Sequence, residues 1–353
     1  MKIVNQMLGQ LSRVRARCIR TILHLQGVNL DMCESLRFGE NEGQVQYSIL
    51  SQYSEGSYKQ FFHPRESAIE SFAYQERYLF KLDSVCVDTL TGIMFTNSGK
   101  ILEESSAWSK EKLLINSIPK PIKLLTSLNH VTGNSIILPS NGYYHWLIED
   151  LPGFLWTLSN TNVDEILVYS EAPNYVKSIL NLLPGNIRSV SRFVSTESTL
   201  LLAKDSSVGW PDPRDLEVLR NFFSRYFQPV ELGKRAYISR LRSKRSPFFE
   251  EDLIQELVID GWDIVYLENM TLLEQISFIS SCETICGVGG AGLSNAVWMA
   301  PESKVIELSP NWFVPCFSRL ATLLHLKYST IFFESTNLTH MEVLREIQRY
   351  SQE

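Results

Sequence analysis

Residues 284–308 read TICGVGGAGLSNAVWMAPESKVIEL, with Gly287, Gly289, Gly290 and Gly292 clustered between two apolar runs. The stretch predicts a strand, a tight turn, a short helix stopped at Pro301, and a second strand ending in Glu307. Glycines without Cβ let backbone N–H groups approach an anion, and a helix N-terminus adds unpaired donors and a favourable dipole. A diphosphate is the guest such a turn would suit.

Outward from this stretch, the chain beyond Arg235 alternates. RAYISR, DIVYLE, TICGV, KVIEL and KYSTIFF read as strands; EEDLIQELVIDG, TLLEQISFISS, WFVPCFSRLATLLHL and HMEVLREIQRYSQE read as helices. Strict alternation implies a parallel sheet covered by helices, an α/β fold. Upstream, residues 45–138 read as short strands broken by turns. NGYYHWLIEDLPGFLWTLSN then has apolar residues at helical spacing, with a bend or restart expected at Pro152. DEILVYS reads as a strand, APNYVKSILNLL as a helix, and PDPRD starts another helix over Leu216–Phe227.

The 353 residues leave room for two cores. A net charge of −6 argues against a nucleic-acid partner. Six cysteines without framework spacing fit free thiols in a reducing compartment. No apolar run is long enough to suggest a membrane span. Residues 1–30 contain Lys2, Arg13, Arg15, Arg17 and Arg20 and no acid, with apolar residues at spacings of three and four. They predict a basic amphipathic helix, either packed on its own domain or contacting an anionic membrane surface through residues 1–25.

Residues 287–292 match G-x-G-x-x-G, and Glu307 lies twenty residues beyond Gly287. A dinucleotide fingerprint belongs after the first strand of its domain, whereas this one follows the third and precedes a short helix. A nicotinamide enzyme is therefore the weaker reading, and glycines needed only for packing remain an alternative. Ligands of open α/β sheets bind at the carboxyl ends of the strands. Arg240 ends one strand, Gly289–Gly292 follow another with Ser294 and Asn295 opening the helix, and Glu307 ends the next. A guanidinium and amides suit a diphosphate, and a carboxylate suits ribose hydroxyls. The basic run GKRAYISRLRSKR surrounds Arg240; Arg242 and Lys244 in it read as solvated loop residues. NGYYHWLIED is the second cluster. His145 and Glu149 share a helical face and can take a proton from a hydroxyl nucleophile, or His145 and Trp146 are packed core residues. No Asp-x-Asp pair occurs, so no metal is expected.

NGYYHWLIEDLPGFL, KRAYISR and ENMTLLEQISFISSCETICGVGGAGLSNAVWMAPESKVIEL, in that order, resemble glycosyltransferase family 61, over roughly Ser84–Phe333. Its bacterial members are often called capsular polysaccharide biosynthesis proteins. The resemblance implies a GT-B architecture of two Rossmann-like domains facing across a cleft. Residues 31–230 would form the acceptor-side domain and 231–335 the donor-binding domain, with a terminal helix over 336–353. It implies inverting, metal-independent transfer of a hexosyl, N-acetylhexosaminyl or pentosyl group from a nucleotide sugar, with a UDP-sugar as the expected donor and no cofactor. The acceptor would be a hydroxyl of a lipid-linked or polysaccharide glycan, in the cytoplasm at the inner face of the membrane. Arg240, Gly290, Ala291, Gly292, Asn295 and Glu307 match the family's donor-site positions. His145 and Glu149 match the histidine and acidic positions of its central motif; Glu149, or His145 if Glu149 is structural, is the expected base for the acceptor hydroxyl. Two positions depart: Gly289 stands where the family commonly has His, and Phe249-Glu250 where it often has Asn-Glu. Arg245 is the candidate substitute cation. A non-catalytic polysaccharide-assembly factor with a vestigial site and an NAD-type oxidoreductase are the alternatives.

Overall fold

The computed structural model describes residues 76–96, 101–105, 129–204, 208–227, 233–243, 246–310, 315–333 and 338–352, with the backbone of strands at 35–36, 46–53, 56–62 and 69–74. The basic helix expected over residues 1–30, and Lys244 and Arg245, lie outside the described residues.

Among the described residues, eleven strands precede residue 210. They are β1 (Ser35–Leu36), β2 (Gln46–Tyr53), β3 (Gly56–Phe62), β4 (Ile69–Tyr74), β5 (Arg77–Asp88), β6 (Met94–Phe95), β7 (Ile101–Leu102), β8 (His130–Leu138), β9 (Glu165–Tyr169), β10 (Asn186–Val190) and β11 (Phe193–Leu202). Nine form one sheet in the order β1-β7-β6-β5-β11-β8-β9-β10, with β2 also on β5; β3 and β4 pair separately. The sheet is mixed. β5 is antiparallel to β11, β6 and β2, whereas β11, β8, β9 and β10 are mutually parallel. A continuous parallel run thus covers only β11, β8, β9 and β10. The cause is connection length: β5 turns into β6 through Thr91–Gly92, with Gly92 at φ 76°, and so tight a turn joins only antiparallel neighbours. Helix α1 (Leu151–Asn160) instead carries the chain from β8 to its parallel neighbour β9.

β11 sits at the centre of this sheet and was not anticipated. Hydroxyls interrupt its apolar pattern, yet those of Thr196 and Thr199 are satisfied internally. Ser135 Oγ lies 3.1 Å from Thr199 Oγ1, which donates to Thr196 Oγ1 at 2.6 Å; Thr196 donates to the Val85 carbonyl. Pairing of this kind lets polar side chains occupy a core strand.

The C-terminal sheet follows the predicted alternation: β12 (Lys234–Ile238), β13 (Asp263–Val265), β14 (Cys282–Val288), β15 (Lys304–Ser309) and β16 (Lys327–Phe332). All pairings are parallel and the order is β13-β12-β14-β15-β16. The switch point lies between β12 and β14, where the chain's progress across the sheet reverses. Beyond α2 (Pro213–Phe223), the covering helices are α3 (Glu250–Ile259), α4 (Leu272–Ile279), α5 (Cys316–Leu323) and α6 (His340–Gln352). α4 starts on a capping box between Thr271 and Glu274, and Gly261 at φ 80° follows α3. α5 begins after Pro315, later than its apolar pattern suggested. The helix expected over APNYVKSILNLL is only Asn174–Lys177 followed by a 3-10 turn at Leu180–Leu182.

The two sheets share one apolar core. Ile136, Leu138, Trp146 and Phe154 from the first half join Ile238, Ile276, Trp298 and Leu320 from the second. Phe223 meets Trp298 edge-on at 5.4 Å, and Arg220 Nη1 donates to the Val297 and Met299 carbonyls at 2.6 and 3.1 Å. Among the described residues no helix is long and apolar enough to cross a membrane. Cys86, Cys282, Cys286 and Cys316 are buried free thiols.

Candidate functional site

The glycine turn leaves β14 at the switch point and enters a 3-10 helix, Ala291–Trp298. None of its four glycines lies in the left-handed region; Gly290, at φ 168°, is simply extended. Their common property is the room they leave. A Cβ on Gly287 would lie 3.1 Å from the Ile238 carbonyl oxygen, and one on Gly292 3.1 Å from Ile238 Cγ2. These two glycines let the turn close on β12. On Gly290 a Cβ would lie 2.5 Å from Arg240 Nη1, and on Gly289 it would collide with Glu307 Oε1. The Gly289 N–H donates to the Leu308 carbonyl at 2.8 Å and the Leu293 N–H to the Gly290 carbonyl at 2.9 Å. Ala291 and Gly292 open the 3-10 helix, where N–H groups have no intrahelical acceptor.

Arg240 follows β12 and lies against this turn, its Nη1 donating to the Gly289 carbonyl at 2.7 Å. Its own N–H donates to Glu250 Oε1 at 2.5 Å. Glu250 is fully buried at the start of α3 and also accepts from Ser239 and Ser246 hydroxyls at 3.2 and 2.6 Å. It braces the Arg240 turn; in the sequence it stood out only as the second residue of Phe249-Glu250. A cavity of about 610 Å³ opens at the carboxyl ends of β12 and β14, lined by Arg240, Arg242, Asn269, Ala291 and Gly292, with Tyr143 and Tyr175 from the other half. Arg242 is therefore not merely a solvated loop cation. Its guanidinium lies 4.4 Å over the Tyr266 ring and donates to Asn269 Oδ1 at 3.0 Å.

Asn295 is wholly buried. Its Nδ2 donates to the Gly292 carbonyl at 3.1 Å, and its Oδ1 accepts from Trp298 Nε1 at 3.2 Å and lies 3.1 Å from the Tyr143 hydroxyl. It ties the glycine turn to the helix that begins at Tyr143. That hydroxyl also lies 2.8 Å from Gln275 Oε1, and burial pushes its pKa up. Glu307 is 3% exposed and accepts from the Tyr328 hydroxyl. Burial raises its pKa to about 7 despite that bond. It faces Gly289 and Tyr328 and is not among the residues lining the cavity.

The second cluster forms one helix with an expanded turn. Tyr143–His145 are α-helical, Trp146–Asp150 form a π turn, and α1 follows with Pro152 in its first turn. The bend expected at Pro152 is taken up by this wider turn, with the Leu151 N–H reaching back to the Trp146 carbonyl. Tyr144 and Trp146 are buried core residues. His145 is not: its side chain is 30% exposed, and its Nδ1 lies 2.7 Å from Glu149 Oε2. Glu149 Oε1 accepts the Gly209 N–H at 2.8 Å. Burial lowers the His145 pKa, but the Glu149 hydrogen bond and the charges of Glu149 and Asp150 outweigh burial and the opposing Lys204 charge, so the net shift is upward. Asp150 bonds Lys204, and burial raises its pKa against the pull of that ammonium. The two clusters approach each other through Cys316, whose thiol, raised to about 12 mainly by burial, also feels the Glu307 and Glu149 charges.

Residues 143–306 match the family model described as Glycosyltransferase 61. The Glycosyltransferase 61 segment begins at Tyr143 on the cavity wall and ends at the residue before Glu307. It contains His145, Glu149, Arg240, the glycine turn and Asn295, and so takes in both clusters. The match supports a glycosyltransferase. No curated protein matches the chain.

Proposed function

We propose that this protein is an inverting, metal-independent glycosyltransferase that moves a sugar from a nucleotide sugar to a glycan hydroxyl. The observation that carries the reading is the cavity at the β12/β14 switch point, where Arg240 and the first amides of a 3-10 helix sit beside the glycine turn. Fixed positive potential at that place suits a diphosphate leaving group. The acceptor oxygen attacks the anomeric carbon as the bond to the diphosphate breaks, and the electron pair leaves with the diphosphate. The hydroxyl proton passes to His145 Nε2. Glu149 accepts from Nδ1–H, which keeps Nε2 in its basic form and stabilises the imidazolium that results. Either His145 or Glu149 qualifies as base on spacing alone. Both Glu149 oxygens are already engaged, which favours His145. One displacement inverts the anomeric centre. Metal independence rests on these cationic and amide groups and on the lack of an Asp-x-Asp pair.

The GT-B reading places the donor between the two halves, consistent with a cavity walled by both sheets' elements. A UDP-sugar donor, a lipid-linked or polysaccharide acceptor in capsular or surface polysaccharide synthesis, and a cytoplasmic site at the inner membrane face complete the proposal. They rest on the resemblance, with membrane contact through residues 1–25. Calorimetry against UDP-, GDP-, CMP- and dTDP-sugars tests the reading directly. Micromolar binding of one donor, abolished by Arg240→Ala, is the expected result. No binding by any donor sinks it, and binding without transfer to any glycan points to an assembly factor.

A further inference from the structure

The segment Val208–Trp210 reaches the His145 helix from outside both clusters. Gly209 has φ 80°, in the left-handed region that disfavours side chains. That conformation aims its N–H at Glu149 Oε1, 2.8 Å away, while its carbonyl oxygen accepts from Arg319 Nη1 at 3.1 Å. Arg319 belongs to α5, in the C-terminal half, and is nearly buried. Its Cζ lies 3.4 Å from the centroid of the Trp210 ring, so the guanidinium grips this segment at two successive residues.

We propose that Gly209, clamped by Arg319 and Trp210, is a positioning residue for His145: its N–H pins one oxygen of Glu149 so that the other is held on Nδ1. This inference rests on the reading of His145 as the base. A carboxylate anchored at one oxygen cannot rotate freely about its terminal torsion, and the imidazole it holds then keeps one tautomer and one direction. Without the Gly209 amide, Glu149 has one bond to His145 and no second anchor. The clamp also joins the halves, since Arg319 lies on α5 while His145 and Glu149 lie on the helix leading into α1. The charged and titratable groups around this dyad are Asp150, Lys204 and the Cys316 thiol.

The glycine is needed for its backbone angle and not for space. A Cβ at residue 209 would meet only Cys316 Cβ, at an ordinary 3.8 Å. Gly209→Ala should therefore disturb the N–H direction without a clash, and Gly209→Asn, which tolerates left-handed φ better, should disturb it less. Arg319→Met removes the clamp and leaves residue 209 intact.

The test follows the His145 ring proton by NMR titration in the full chain, assigned by its loss in His145→Ala, beside the pH profile of kcat. The expected result is a lower His145 pKa and a kcat lower by about tenfold in Gly209→Ala and Arg319→Met, with Gly209→Asn between them and wild type. Donor affinity by calorimetry should stay within about twofold. A His145 pKa and kcat profile unchanged in Gly209→Ala and Arg319→Met, with cooperative melting retained, overturns the proposal. If Gly209→Ala does not fold, Arg319→Met decides by the same readouts. A lowered pKa with unchanged kcat in folded variants leaves the positioning of His145 standing and removes His145 from the role of base.

Discussion

The glycine turn and the His145 helix build their parts of the site by opposite means. At residues 287–292 the chain works by leaving atoms out: each missing Cβ makes room for Ile238, Arg240 or Glu307. At residues 143–150 it works by adding atoms, with Glu149 on the π turn accepting the hydrogen bonds that fix the His145 imidazole. The first region is sensitive to added volume, and the second to lost hydrogen bonds. The same small substitution should therefore have different effects in the two places.

The largest expected effect is at His145. On the proposed mechanism His145→Ala removes the general base, and kcat should fall by about 10²–10⁴ with donor affinity kept. A variant with near-wild-type turnover would assign the proton to another group. Next comes Arg240→Ala, which removes a fixed charge facing the leaving group and should cost about 10²–10³ in kcat/KM. In the same turn, Gly290→Ala and Gly289→Ala separate the two kinds of room. The first drives a methyl against the Arg240 guanidinium and should cost about tenfold or more in kcat/KM. The second meets the carboxyl end of the Glu307 side chain, so it should shift that carboxyl and leave donor affinity within about threefold. Equal losses in the two would refute room for Arg240 as the reason for Gly290.

Glu149→Gln sharpens the other side. His145 must be neutral to accept a proton, so kcat/KM falls as pH drops through its raised pKa. Losing the Glu149 charge lets burial dominate, and the acid limb should move to lower pH; an unmoved limb would mean that another group titrates. The smallest effect is one of stability. Glu307, raised to about 7 from an ordinary 4.5, keeps a proton in the folded state that the unfolded chain releases. Stability should then decline as pH rises from 4.5 to about 7, by at most about 3 kcal/mol. Glu307→Gln should flatten that decline in urea melts at pH 5 and 8, and a slope equal to wild type would disprove the assignment.

The C-terminal half was legible because its signals are local. Alternating apolar runs, the Thr271/Glu274 capping box and Gly261 each mark an element by short-range chemistry. The α/β class, the switch-point placement of Arg240 and the helical pairing of His145 with Glu149 all followed from such signals. The mixed N-terminal sheet did not, because β11 hides behind hydroxyl residues whose partners lie on β5 and β8. The site was obscured in the same way. Glu307 and Asn295 read as site residues in one dimension, and their long-range bonds to Tyr328 and Tyr143 had no signal in the sequence. Gly209 and Arg319 carry no local signal, since their meaning depends on a helix sixty residues or more away.

The core in which Trp298 packs on Phe223 makes the two halves a poor pair of interchangeable cassettes. Replacing the C-terminal sheet and its helices with foreign ones would strip apolar faces from α2 and the His145 helix at once. Donor preference in such a protein is better redesigned at the rim of the cavity, at Arg242 and Asn269, than by exchanging whole domains.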